Sequence, residues 1–143
     1  EAAPEDMETA AQIAQASEFI EAKPDKYQEH IAQAGANVSG GQKQRLSIAR
    51  ALMKKAPIYL FDDSFSALDY KTDMALRRQL QENTASSTVI IVGQRIATIM
   101  NADQILVLDE GRIVGHGTHR ELIEHCKTYQ EIAYSQLTKE ELA

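Results

Sequence analysis

Two short apolar runs do most to limit how this chain can fold. Ile58-Tyr59-Leu60-Phe61 ends on Asp62-Asp63, and Thr88-Val89-Ile90-Ile91-Val92 ends on Gly93-Gln94. Apolar runs of this length, without alternating polar residues, read as buried strands of a parallel sheet. Parallel neighbours need a crossover connection, and residues from about Tyr70 to Glu82 supply a helix between them. A short helix then leads to a third strand over Gln104–Asp109. Glu110-Gly111 forms a tight turn, and residues Arg112 to Gly115 return as its hairpin partner. Helices close the chain from about Thr118 onward. The alternation over residues 56–143 implies an α/β fold, with a parallel or mixed sheet covered by helices. Ligands of such sheets sit at the carboxyl ends of the strands, which is where Asp62, Asp63 and Gln94 fall.

Residues 1–55 have a different texture. An Ala/Glu/Gln-rich stretch over 5–21 carries Ala10, Ala11, Ile13, Ala14, Ala16 and Phe19-Ile20 at helical spacing. Pro24-Asp25 begins a short turn or helix near Tyr27, and residues 31–38 read as a loop. A long helix from about Gly40 to Lys54 follows, with Ser39 as its N-cap and Leu46, Ile48, Ala49, Leu52 and Met53 as its apolar face. The boundary between the two parts is drawn after Lys55.

The formal net charge of −6 disfavours a nucleic-acid partner, whose phosphates call for clustered Lys and Arg. The one basic cluster, Lys43, Arg45, Arg50, Lys54 and Lys55, reads as a solvated helix face. Cys126 is the single cysteine, so no intrachain disulfide forms, which fits a reducing compartment. The longest purely apolar runs are four residues, far short of the roughly 20 needed to span a bilayer. The chain begins at Glu1 without Met, and the expectation is an excised piece of a longer protein.

Val38-Ser39-Gly40-Gly41-Gln42 carries the sharpest chemistry. Two glycines at a helix start let backbone approach a ligand closely. Exposed N–H groups and the positive end of the helix dipole suit an anion, phosphate above all. A plain capped turn would use the same residues, and the pentapeptide alone leaves both readings open.

Its context is more specific. Residues 38–52 read VSGGQKQRLSIARAL, followed by IYLFDDSFSALD over 58–69. These segments resemble the signature motif, the Walker B strand and the D-loop of ABC transporter nucleotide-binding domains. TVIIVGQRIATIMNADQILVLDEGRIVGHGTHREL, residues 88–122, is similar to the switch loop and last strands of the exporter type. The resemblance implies part of a P-loop NTPase (RecA-like) core sheet with an ABC helical subdomain over 1–55. It also implies ATP and Mg²⁺ as ligands. Ser39, Gly40 and Gly41 would grip the γ-phosphate of ATP bound on a facing domain, and Gln42 would contact its ribose or support the loop. Asp62 would hold Mg²⁺ through water, and Ser66, Ala67, Leu68 and Asp69 would form the D-loop across a dimer. The implied partners are a second nucleotide-binding domain and transmembrane domains, placing the chain at the cytoplasmic face of a membrane.

Several positions depart from the family pattern. The residue after the Walker B aspartate is usually Glu, which orients the attacking water, and here it is Asp63, one methylene shorter. The switch residue is usually His and here is Gln94, which donates a hydrogen bond but takes on no proton. Together, Asp63 and Gln94 as catalytic residues resemble the degenerate half of a heterodimeric exporter. Gln33-Ala34-Gly35 replaces an acidic residue and Arg that touch the membrane domain. No Gly-x-x-x-x-Gly-Lys-Ser/Thr occurs. The family places that P-loop upstream of Glu1, so exposed apolar sheet edges are expected. A homodimeric exporter with slow turnover, a non-catalytic interaction module, and a soluble ABC ATPase of DNA repair or translation are the rival readings. His116, His119, His125 and Cys126 raise the thought of zinc, but Thr118-His119-Arg120-Glu121-Leu122 reads better as a capped turn into a late helix.

Overall fold

A computed structural model describes residues 3–137. The last stretch expected to be helical, residues 138–143, lies outside the described residues. The chain forms two compact units, residues 1–92 and 93–143. This division falls after Val92, and the N-terminal helices share one apolar core with Tyr59 and Phe61 of the first apolar run.

In the first unit, α1 (Pro4–Ile13) and α2 (Ser17–Glu21) precede two 3₁₀ turns at 26–28 and 33–35. They are followed by α3 (Gly40–Leu52), β1 (Ile58–Asp62), α4 (Tyr70–Asn83) and β2 (Thr88–Val92). The single helix expected over 5–21 is in fact two. Gln15 adopts φ +56° between them. Arg45 of α3 explains the break: its Nη1 donates to the Gln15 carbonyl at 2.6 Å. Its guanidinium also lies 4.7 Å from the centroid of the Phe19 ring, a cation–π contact. Arg45 is therefore half-buried and engaged, which corrects the reading of the basic cluster as solvated throughout, although Lys43, Arg50, Lys54 and Lys55 are exposed.

β1 and β2 pair in parallel with Ile58 opposite Thr88 and Asp62 opposite Val92, as the apolar runs require. Burial on both faces does not hold. Tyr59 and Phe61 join Ala10, Ile13, Ile48, Leu52, Leu76 and Leu80 in the core. The alternate residues Ile58, Leu60, Ile90 and Val92 remain 60, 65, 47 and 51% exposed. The core helices pack on one face of the pair alone, so the expectation of exposed apolar surface is met on a face rather than along an edge. Asp73 is buried on α4 and holds Arg77 in a bidentate pair at 3.0–3.1 Å, one turn along the same helix.

The second unit contains α5 (Ile96–Ile99), β3 (Ile105–Asp109), β4 (Arg112–Gly117), α6 (His119–His125) and α7 (Lys127–Gln136). β3 and β4 form the expected hairpin. Glu110 and Gly111 both have positive φ, 44° and 75°, the conformation of a type I′ turn. Thr118 and Glu121 form a capping box that starts α6. Tyr129 is fully buried in this unit's core, and its hydroxyl lies 2.8 Å from Nδ1 of His119.

Two outcomes follow. Arg45→Ala removes a charged hydrogen bond and a cation–π contact and is expected to destabilise the fold by about 2 kcal/mol. Arg45→Lys should recover less than half of that, since an ammonium lacks the planar fork, and urea denaturation measures both. Burial raises the Tyr129 phenol from 10.0 to about 12. A raised pKa stabilises the fold below the unfolded value, and that contribution is lost as pH rises through the folded one. Stability of the second unit should therefore fall between about pH 10 and pH 12, and Tyr129→Phe should flatten that part of the profile.

Candidate functional site

α3 begins with a complete capping box. The Gln42 N–H donates to Ser39 Oγ at 3.2 Å, and the Ser39 N–H donates to Gln42 Oε1 at 2.9 Å. The Gln42 side chain thus braces the loop it belongs to. Gly40 and Gly41 occupy the first two helical positions, where backbone N–H groups precede the intrahelical ladder. Gly40 is exposed and Gly41 half-buried.

The glycines also serve the fold. A Cβ on Gly41 would lie 2.9 Å from the backbone carbonyl of Ala67, closer than real Cβ contacts come, whereas one on Gly40 would meet only the Ala67 methyl at an ordinary 3.7 Å. The absent side chain at Gly41 therefore admits the loop of residues 66–69 against the start of α3.

Asp62 ends β1 and Asp63 directly follows it, both exposed. Asp63 sits in the left-handed region at φ +48°. Its N–H donates to the Val92 carbonyl at 3.0 Å, tying it to the end of β2. Its own carbonyl accepts from Ser66 Oγ at 3.1 Å and from Gln44 Nε2 at 3.0 Å. Asp69 caps α4: its carboxylate accepts from the Thr72 N–H at 3.0 Å and the Thr72 hydroxyl at 2.7 Å. Those hydrogen bonds hold the Asp69 carboxyl below its usual range.

The first unit thus brings Ser39, Gly40, Gly41, Asp62, Asp63 and the 66–69 loop into one connected region. Gln94 belongs to the second unit and is exposed. Its carbonyl accepts from Gln136 Nε2 at 2.8 Å, while Gln136 Oε1 accepts from the Ile96 N–H at 2.9 Å. The last helical residue of α7 therefore holds both sides of the turn that carries Gln94. Neither Gln44 nor Gln136 stands out in the sequence, where each looks like an ordinary polar residue on a helix.

His116 and His119 have side-chain partners. His119 faces Tyr129, and His116 Nε2 lies 3.1 Å from Gln104 Oε1. Among the described residues, no three His, Cys, Asp or Glu side chains are placed to hold a metal by themselves. Asp62 is a single carboxylate at a strand end. That suits Mg²⁺, which keeps several waters and takes one or two carboxylates together with substrate phosphates. No helix among the described residues is long and apolar enough to cross a membrane.

Comparison with known proteins shows what these elements are similar to. The ABC transporter family model matches residues 2–66. An uncharacterized ABC transporter ATP-binding protein of Mycobacterium tuberculosis is 46% identical over 132 residues, 92% of this chain and 22% of that protein. The ATP-dependent lipid A-core flippase of Aliivibrio fischeri is 43% identical over 127 residues, 89% of this chain and 22% of that one. The solved structure of a bacterial Atm1-family ABC exporter with ATP bound superposes with a TM-score of 0.90 at 35% identity, covering 96% of this chain and 24% of its own. The chain spans about a fifth of the length of these curated relatives.

The unequal space beside the two glycines gives a direct test. Gly41→Ala should destabilise the fold by about 1–3 kcal/mol through overpacking against the Ala67 carbonyl. Gly40→Ala should be neutral or slightly stabilising. Equal denaturation midpoints for the two variants would mean that the 66–69 loop is not seated on α3.

Proposed function

The chain belongs to the ABC transporter family, as part of its ATP-binding domain, and on that premise we propose that it serves two ATP sites of an exporter unequally. To a partner ATP-binding domain it supplies Ser39, Gly40 and Gly41, whose hydroxyl and backbone N–H groups suit a γ-phosphate. To its own site it supplies Asp62 for Mg²⁺ and Asp63 beside the attacking water; in the second unit, the Gln94 amide is a donor suited to a γ-phosphate. The observation that carries this reading is the joining of the α3 start, the end of β1 and the 66–69 loop through Gln44 and Gly41. Such an arrangement suits a protein in which phosphate contact at one site is felt at another.

Phosphoanhydride hydrolysis rests on positioning and charge stabilisation. Asp63 holds its carboxylate one methylene short of where Glu would reach, and a displacement of about 1 Å can cost on the order of 100-fold in rate. Gln94 offers a hydrogen bond without an exchangeable positive charge. The site is therefore one that binds ATP and turns it over slowly, as in the weaker half of a heterodimeric exporter. ATP held between the two domains closes them, and closure is passed to transmembrane domains, with the chain at the cytoplasmic membrane face.

ATP turnover by the assembled transporter tests this. Asp63→Glu alone should raise turnover at this site by about tenfold, part of the roughly 100-fold range that misplacement covers. Asp63→Glu with Gln94→His should raise it further. Full recovery by Asp63→Glu alone would remove the role given to Gln94. No gain from either change would overturn the slow-site reading and favour an interaction role without hydrolysis.

A further inference from the structure

Gln44 is half-buried on the second turn of α3 and lies beyond the phosphate-gripping residues. Its amide spends both ends on the neighbouring loop. Nε2 donates to the Asp63 carbonyl at 3.0 Å and to Ser66 Oγ at 2.9 Å, while Oε1 accepts from the Ala67 N–H at 2.9 Å. The chemistry of the partners fixes the amide's orientation. The Ala67 N–H can only donate and the Asp63 carbonyl can only accept, so a flipped amide would set donor against donor and acceptor against acceptor.

Asp63 needs such restraint. A non-glycine residue at φ +48° lies outside the broad minima of the backbone and persists only where its surroundings hold it. Three bonds do so here: its N–H to Val92, and its carbonyl to Ser66 and Gln44. One of these comes from the helix whose first turn carries Ser39, Gly40 and Gly41.

We propose that Gln44 is a positioning residue for ATP hydrolysis, fixing the backbone of Asp63 and the Ser66–Ala67 loop in one geometry and so linking the signature helix to the site that Asp63 serves. This rests on the function proposed above. A shift of α3 on gripping a phosphate is passed through the amide to Asp63 without either end touching the other's ligand. Gln44 itself touches no nucleotide; it acts through Asp63 and the loop.

The test is single-turnover ATP hydrolysis by the assembled transporter with Gln44→Glu and Gln44→Met, beside Asp63→Asn. Glutamate keeps the length and the Oε1 acceptor but loses the donor. Methionine keeps the length and loses every hydrogen bond, and carries the test should the carboxylate impair folding. The expected result is that Asp63→Asn abolishes the phase belonging to this site. Both Gln44 variants should slow that phase about 10- to 100-fold, as an ångström-scale displacement does. Half-saturation for ATP should stay within about twofold, because positioning lost only in the transition state leaves KM in place. A brace with a purely structural role would instead lower the melting temperature and leave the rate per folded molecule unchanged, and that result overturns the proposal. Asp63→Asn without effect would remove the site itself, and the proposed function with it.

Discussion

The seating of the Ala67 carbonyl against the bare backbone of Gly41 sets how the functional end of the first unit is assembled. Only a position without a side chain lets the 66–69 loop come that close to α3. Once the loop is there, the Gln44 amide meets Asp63, Ser66 and Ala67 at hydrogen-bonding distance. Asp63 in turn reaches across to the end of β2 through its N–H. The missing side chain at one glycine, where a Cβ would come within 2.9 Å of the Ala67 carbonyl, therefore helps set how the end of β1 and the residues after it stand relative to the first turn of α3.

Helix starts in both units are held by side chains folded back on their own backbone. Ser39 with Gln42, Asp69 with Thr72 and Thr118 with Glu121 each close a helix start locally. Such caps satisfy donors that a helix leaves without partners. They also keep the first turns in place without help from distant parts of the chain. At Ser39 the hydroxyl oxygen accepts the Gln42 N–H, so capping and donation to an oxygen ligand use different parts of one group.

The strands, the crossover helix, the hairpin and the helix starts were legible in the sequence because each is encoded locally. Apolar runs mark β1 and β2, Glu110-Gly111 marks the turn, and Ser39 and Thr118 with Gln42 and Glu121 three residues on mark caps. Features that depend on distant partners were not legible. The break at Gln15 is completed by Arg45, 30 residues later. The exposure of Ile58, Leu60, Ile90 and Val92 depends on which face the helices cover, and the composition of a run does not tell its two faces apart. At the site, Asp62 and Asp63 could be read from their strand end, and Ser39 to Gln42 from their helix start. Gln44 and Gln136 could not, because a mid-helix or terminal glutamine carries no signal until the fold brings its amide to a loop.

The left-handed backbone at Asp63 bears on why that residue is there at all. Short polar side chains tolerate this conformation better than longer ones, and Asp and Asn are enriched in it. Glutamate has the longer side chain but no comparable preference for that φ. At this position, backbone conformation and side-chain reach therefore favour different residues. Natural chains often balance stability against activity at reactive sites, and under the proposed function the aspartate is one such compromise: a carboxylate that left-handed backbone tolerates when braced, with its charge one methylene short of where a glutamate would place it.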